Sequence, residues 1–300
     1  MNRLYPTALA ALVLAAGLSS CGSSTADSAG SALRPNDREA VSVDPAVKAL
    51  VPAAAAKKGT LTVAMDASYP PFQFFADDNK TIIGFDADFA SAVAERMGLK
   101  ADIKNVGFDT ILTGIQAGRY DLAESSFSVT PEREKIVDFV EYLQGGAGVA
   151  VKPGNPQKLS MDPAVLCGHR IAAQKGTTQA IEQLPAFAKK CEESGAATLT
   201  PVLFPSQNDA VLALTSGRVD GMLADSTAVS YQGKLSQGKF ELAPGDIYEA
   251  RPTGIALAKG SSLEEAVAAA VKSLYADGTV KKLAAKWSIP ASNFTAHPGA

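Results

Sequence analysis

Residues 107–133 read GFDTILTGIQAGRYDLAESSFSVTPER, and the organisation of the whole chain can be worked outward from them. Asp109 to Ala117 carries Ile111, Leu112 and Ile115 at helical spacing, and Gly118 stands where a helix would stop. Leu122 to Ser126 then reads as a strand. Thr130-Pro131 opens another helix, with Thr as N-cap and Pro at the first helical position. Helix, turn, strand and helix in so short a span is the rhythm of an α/β sheet. In open α/β sheets ligands bind beyond the carboxyl ends of the strands. The polar run Ser125-Ser126-Phe127-Ser128, followed by Arg133, occupies such an end.

The same alternation continues on both sides. Leu61 to Met65 is a strand. Asp86 to Met97 is an amphipathic helix with Phe85, Phe89, Val93 and Met97 every four residues and Gly98 as its stop. Further on, Ile171–Ala173 is a strand, and Thr177 caps a helix running toward Cys191. Val202–Phe204 is a strand, Asn208 to Ser216 a helix closed by Gly217, Val219 to Ala224 a strand, and Ser226 the start of a helix. Gly254 to Ala258 is a strand, and Ser262-Leu263-Glu264-Glu265 reads as a capping box for a long Ala-rich helix. That helix stops at Gly278, and Thr279 to Trp287 is a last short one. Two successive α/β units of similar size predict two lobes, each a mainly parallel sheet flanked by helices, with a cleft between them.

Composition narrows the function. The chain has 300 residues, 46% hydrophobic and 20% charged, as a folded globular protein has. Lys and Arg number 28 against 31 Asp and Glu, so no basic excess is present to neutralise a nucleic acid backbone. The two histidines, His169 and His297, are far apart, which argues against a histidine-built metal site or His-dependent nucleophile. There is no P-loop, no H-E-x-x-H and no Cys cluster, so no metal or cofactor is expected. Ser236-Gln237-Gly238-Lys239 matches S-x-x-K but lies in a polar stretch and reads as a loop.

Residues 1–20 read as an export signal: Arg3, then an apolar stretch from Thr7 to Gly17, shorter than the roughly 20 residues a bilayer span needs. Leu18-Ser19-Ser20-Cys21 resembles the bacterial lipoprotein box, in which the cysteine is lipidated; an ordinary cleaved signal is the alternative. Residues 21–56 read as a flexible tether, with a loose helix from Val47 to Ala56 at its end. Cys167 and Cys191 are expected to pair in an exported protein; two buried thiols are the alternative.

Each strand end offers a candidate with a plainer alternative beside it. Tyr69, after the first strand, is a cleft wall or a core ring. Glu124, Ser126 and Ser128 share one face of an extended chain. Arg133 beside hydroxyls can hold a carboxylate through two charge-assisted bonds, or simply pair with Glu132 or Glu134 at the surface. Gly176-Thr177-Thr178 feeds a helix N-terminus, an anion site or a plain cap. Asp225 suits an ammonium group, or caps the next helix. Together they suit a zwitterion.

At these residues the chain resembles the family 3 solute-binding proteins of bacterial ABC importers. The resemblance rests on LTVAMDASYPPFQF, IIGFDADFASAVAERMG, the segment from Gly107 through IVDF, AAQKGTTQ, FPSQNDAVLALTSGRVDGMLADS, GIALAKG and LYADGTVKKLAAKW, in family order from about residue 60 to 288. It implies a two-lobed periplasmic-binding-protein-like fold of type II, with lobe 1 at 57–149 plus 253–300 and lobe 2 at 150–252. The two hinge strands would cross near Val149–Val151 and Thr253–Ile255. It further implies a monomer, held outside the cell membrane by lipid at Cys21, that captures an amino acid and delivers it to a permease without covalent chemistry. Arg133 would grip the α-carboxylate, helped by Ser126, Ser128 and Thr178. Asp225 would take the α-ammonium, Tyr69 and Phe108 would wall the side chain, and Asp66 would lie near its tip. Glu124 departs from the family pattern, which is usually apolar there. It would meet a cationic ligand tip or an internal base, with Arg251 as candidate partner; Arg251 could equally favour an acidic ligand. Two other readings stay open: a cyclohexadienyl-type dehydratase using Glu124 as general acid or base, and a sensor subunit.

Overall fold

The computed structural model describes residues 38–294. The expected signal peptide, the expected lipidation site Cys21 and His297 lie outside them. The described chain begins with two short helices, α1 (Pro45–Ala49) and α2 (Ala53–Lys58). Strand β1 (Thr60–Met65) leads into a small antiparallel sheet of β2 (Ser68–Tyr69), β3 (Gln73–Phe75) and β4 (Ile82–Ile83). Then come α3 (Phe85–Arg96), β5 (Lys100–Asn105), α4 (Phe108–Gln116), β6 (Leu122–Ser128), the single turn α5 (Pro131–Glu134) and the long β7 (Val137–Val151). The second half contributes β8 (Arg170–Gln174), a turn of π-helix (Gln179–Gln183), α6 (Leu184–Glu193), β9 (Thr200–Phe204) and α7 (Gln207–Ser216). It continues with β10 (Gly221–Asp225), α8 (Ser226–Leu235), β11 (Glu241–Leu242) and β12 (Tyr248–Ala258). Helices α9 (Glu264–Ala276) and α10 (Thr279–Lys286) follow.

The strands order as β5-β1-β6-β12-β7-β10-β8-β9. The outer pairs β1–β5, β1–β6, β8–β10 and β8–β9 are parallel, and the central pairs β6–β12, β12–β7, β7–β10 and β7–β11 are antiparallel. Two lobes result. One packs Phe85, Phe89, Tyr142 and Trp287 into a common core with α9 and α10. The other packs Leu166, Ile171, Leu184 and Phe187. β7 and β12 serve both lobes. β7 pairs with β12 from Val137 to Ala147 and takes β10 as neighbour from Ala147 to Val151. The strand therefore changes neighbours at Gly145–Ala147, a few residues before the expected crossing. Cys167 and Cys191 are disulfide-bonded, tying the chain ahead of β8 to α6.

Two expectations fail here. Residues 38–56 are not a free tether. Val47 is 3% exposed in the first lobe's core, and Arg38 donates to both oxygens of Glu95 on α3 (2.9 and 2.5 Å). The Asp44 N–H donates to the last-turn carbonyl of Arg96, and Ser273 on α9 donates to the Asp44 carboxylate (2.9 Å). Nor is Ser262 a capping residue: α9 starts behind Leu263 with no side-chain cap, and it is Ser261 whose hydroxyl accepts from the Leu263 N–H. Leu263, 8% exposed, anchors that end by burial instead.

Candidate functional site

The ends of β1, β6, β8 and β10 converge on a cavity of about 690 Å³ between the lobes, its mouth included. Arg133 stands at its centre. Thr130 accepts from the Arg133 N–H, which fixes α5 at the end of β6. The guanidinium, 6% exposed, donates to the Ser128 carbonyl (2.8 Å) and across the cleft to the Gly176 carbonyl (3.0 Å). It lies 5.9 Å from the Phe108 ring centre and 5.3 Å from that of Phe127. Burial pulls its pKa down to about 10, so it stays charged at neutral pH. Gly176 has φ +78°, and a Cβ there would sit 2.9 Å from the Asp109 backbone on the facing lobe. Only glycine lets the lobes meet this closely at Arg133.

Asp225 is both cap and cleft residue. One carboxylate oxygen accepts from the N–H groups of Thr227 and Ala228 (2.9 and 3.1 Å) at the head of α8. Burial pushes its pKa up to about 6. Tyr69 reaches over from the first lobe and accepts from the Asp225 N–H at 2.9 Å, so the ring lines the cleft while its other side packs on the first lobe's core. Asp66 is held by three donors: Ser68 Oγ (2.6 Å), the Phe108 N–H (2.9 Å) and Gln174 Nε2 from the other lobe (2.9 Å). Burial raises its pKa.

Eight of the nine residues singled out from the sequence for ligand contact line this one cavity: Asp66, Tyr69, Phe108, Ser126, Ser128, Arg133, Thr178 and Asp225. Glu124 does not. The alternation that put it on the face of Ser126 breaks at a bulge, where β6 takes four steps, from Ala123 to Phe127, against two steps of β12, and Ser126 takes φ +52°. Ser125, Ser126 and Ser128 all reach the cavity as a result. Glu124 turns inward, fully buried, with neither oxygen partnered. Arg251 is not its partner: it donates to Glu182 and Glu249 (both 2.6 Å).

Sequence reasoning missed Gln73, Gln174 and Gln183, all nearly buried and all lining the cavity. Gln174 is the last residue of β8, so the strand-end rule could have found it. Gln73 donates to Ser125 Oγ (3.0 Å), and its own carbonyl oxygen is buried without a partner, as is that of Gln183. Among the described residues no group of three His, Cys, Asp or Glu side chains is placed to hold a metal ion.

Residues 61–290 match the model of the bacterial extracellular solute-binding proteins, family 3. The chain belongs to that family. Among known family 3 and related proteins it is similar to the arginine-binding protein ArgT of Corynebacterium glutamicum, 33% identical over 245 residues, covering 82% of this chain and 79% of that one. It is also similar to the L-cystine-binding protein TcyJ of Escherichia coli, 29% identical over 77% of this chain and 83% of that one. Among solved structures, an ancestral arginine-binding protein bound to arginine superposes with a TM-score of 0.70 at 31% identity, over 76% of this chain and 98% of that one. The ancestral amino acid-binding protein AncCDT-1, a precursor of cyclohexadienyl dehydratase, does so with 0.68 at 32%, over 77% and 96%. As a family 3 protein the chain binds a solute outside the cytoplasm. No helix of its described residues is long and apolar enough to cross a membrane.

Proposed function

We propose that this protein is the receptor of an ABC importer for an amino acid with a cationic, donor-rich side chain, anchored by lipid at Cys21. The observation that carries the reading is the pairing of Arg133 with Asp225 in one cavity whose unpartnered buried atoms, Gln73 Oε1 and Gln183 Oε1, are both acceptors. Arg133 would take the α-carboxylate and Asp225 the α-ammonium. Tyr69 and Phe108 would flank the side chain, with Asp66 and Gln73, joined through Ser125 Oγ, toward its tip. A second acidic group on the ligand would find no free base, because Arg251 is engaged by two glutamates. Arginine is the first candidate, in keeping with what ArgT is named for, whereas TcyJ is named for L-cystine. Closure would follow from each lobe holding part of the ligand, with the hinge at Gly145–Ala147 and the facing residues of β12. The dehydratase reading relied on Glu124, which lies outside the cavity.

Thermal unfolding against the twenty amino acids, ornithine, citrulline and prephenate tests this, on protein refolded to strip co-purified ligand. A ligand at a hundredfold excess over its Kd adds about 2.7 kcal/mol. That raises the midpoint by about 5–10 °C for a chain of this size. L-Arginine should give such a shift and Arg133→Ala should lose it. A shift with prephenate alone, or with none of the panel, would overturn the proposal.

A further inference from the structure

Beneath the cavity wall lie two carboxyl groups that ligand contact does not use. Asp86, at the head of α3, is fully buried and accepts from Ser126 Oγ (2.8 Å) and Tyr142 Oη (2.9 Å). Glu124 lies close enough on β6 for the two charges to disfavour each other, and neither of its oxygens has a partner. Ser126, the residue with φ +52°, lines the cavity while its hydroxyl is spent on Asp86. Its seat therefore depends on the acid behind it.

No base relieves this group. Facing Asp86 are Ser126 and Glu124 from β6, Tyr142 from β7, and Asp225 at the head of α8; Tyr69 lies within reach of both aspartates' charge. On the other elements packed against α3, Lys286 of α10 is engaged by Asp88, and Arg38 by Glu95. Arg96 of α3 itself is paired with Asp277. The charged residues of β5 and α9 sit at exposed or half-exposed positions, and Tyr275 of α9 gives its hydroxyl to the Tyr142 carbonyl. Among the described residues no Lys, Arg or His pairs with Asp86, Glu124 or Asp225.

We propose that Asp86 and Glu124 form a buried acid pair in which Asp86 positions Ser126 in the cavity wall, and that a cationic group entering beside Asp225 drives a proton from the cluster to solvent. The second half rests on the amino-acid reading of the cleft; the first does not. Two fully buried carboxyls and the half-buried Asp225, without a counter-charge, hold protons that exposed ones would have lost. An ammonium is the missing counter-charge, and its arrival favours the ionised forms. Burial pushes Asp86 to about 7 and Glu124 well above its ordinary value, in keeping with that geometry.

Two measurements on the full chain separate the halves. The first follows stability from pH 5 to 9 without ligand. A folded state that holds more protons than the unfolded chain loses stability as pH rises. Wild type should lose stability across the range. Asp86→Asn should make the loss shallower below about pH 7, where Asp86 titrates, and Glu124→Gln should make it shallower from pH 5 upward, because a carboxyl held above its ordinary value loses stability from that ordinary value on. A flat wild-type profile, or one that neither variant alters, overturns the acid pair; if Asp86→Asn does not fold, Glu124→Gln decides. The second is calorimetry of L-arginine binding at pH 6.5 in phosphate and in imidazole, and at pH 8.5 in borate and in Tris. Buffer-dependent heats at pH 6.5 should report about 0.3–1 proton released per arginine, with fewer at pH 8.5 as Asp86 and Asp225 arrive already ionised. Equal heats at pH 6.5 overturn the proton linkage. No heat with L-arginine in any buffer overturns arginine as the solute, and the acid pair then stands or falls on the stability profile.

Discussion

Asp225 caps α8 and faces the cavity with the same carboxylate, and the sequence had left those two roles as alternatives. The structure makes them compatible because a carboxylate has two oxygens. One takes the helix N–H groups, and the other lies so near β7 that a Cβ on Gly145 would come within 2.6 Å of it. The roles can be separated by substitution, since Asn caps a helix about as well as Asp and carries no charge. With its pKa pushed up to about 6, Asp225 is protonated below that pH and no longer attracts an ammonium. Affinity for L-arginine should therefore fall about tenfold between pH 7 and pH 5. Asp225→Asn should weaken binding at pH 7 by about 2–5 kcal/mol, as loss of a charge partner does, and should remove Asp225's share of the pH dependence. A titration of Kd against pH for both proteins checks this. An Asp225→Asn protein that binds like wild type at pH 7 would leave the cap as its main role. Glu124 carries the complementary lesson. Its residue type flagged it correctly as unusual, but its direction depended on a bulge that strand periodicity does not encode.

At the scale of elements, the strap over residues 38–56 was misread as tether, and the reason is compositional. Residues 22–56 are rich in Ala, Ser, Gly, Asp and Pro and look like linker, and Val47 is the one buried residue among 38–56, which leaves no period to detect. Yet Asp44-Pro45 is a helix start of the same kind as Thr130-Pro131, and the Asp44 side chain does accept from the N–H groups of Ala46 and Val47. The local signal was legible; its tertiary partner on α9 was not. Because Val47 is buried in the first lobe's core, Val47→Ala should cost about 1–3 kcal/mol by urea unfolding. Arg38→Ala should cost about 1 kcal/mol or less, since Glu95 keeps partial access to water. If Val47→Ala is neutral, the strap does not belong to the fold. In the other lobe, the Cys167–Cys191 bridge closes a separation of 24 residues, and Cys191 is fully buried against α6 neighbours. Its removal by paired Ser substitutions should cost about 3–4 kcal/mol. The same unfolding titration, with and without reductant, measures it.

Over the whole molecule, what was legible is what short segments encode: strand–helix alternation, the stops at Gly98, Gly118 and Gly217, and polar residues at strand ends. What was not legible joins residues far apart. Ser68 accepts from the Gln207 N–H across 139 positions, Tyr69 from the Asp225 N–H across 156, and the Pro70 carbonyl from Gln232 Nε2 (3.0 Å) across 162. These three bonds bind consecutive residues of one first-lobe loop to α7, the end of β10 and α8, so they exist only when the lobes are together. Gln232 is the informative one. It is 7% exposed and does not line the cavity, so its substitution alters closure without touching the solute. Losing one such bond to a neutral acceptor is worth about 0.5–1.5 kcal/mol. Gln232→Ala should therefore raise the Kd for L-arginine about 2–12-fold. The change should fall mainly on the off-rate, because the bond forms after encounter. Stopped-flow fluorescence separates the two rates. An unchanged off-rate with a slowed on-rate would mean that Gln232 steers the solute in, and that the loop's bonds do not hold the closed state.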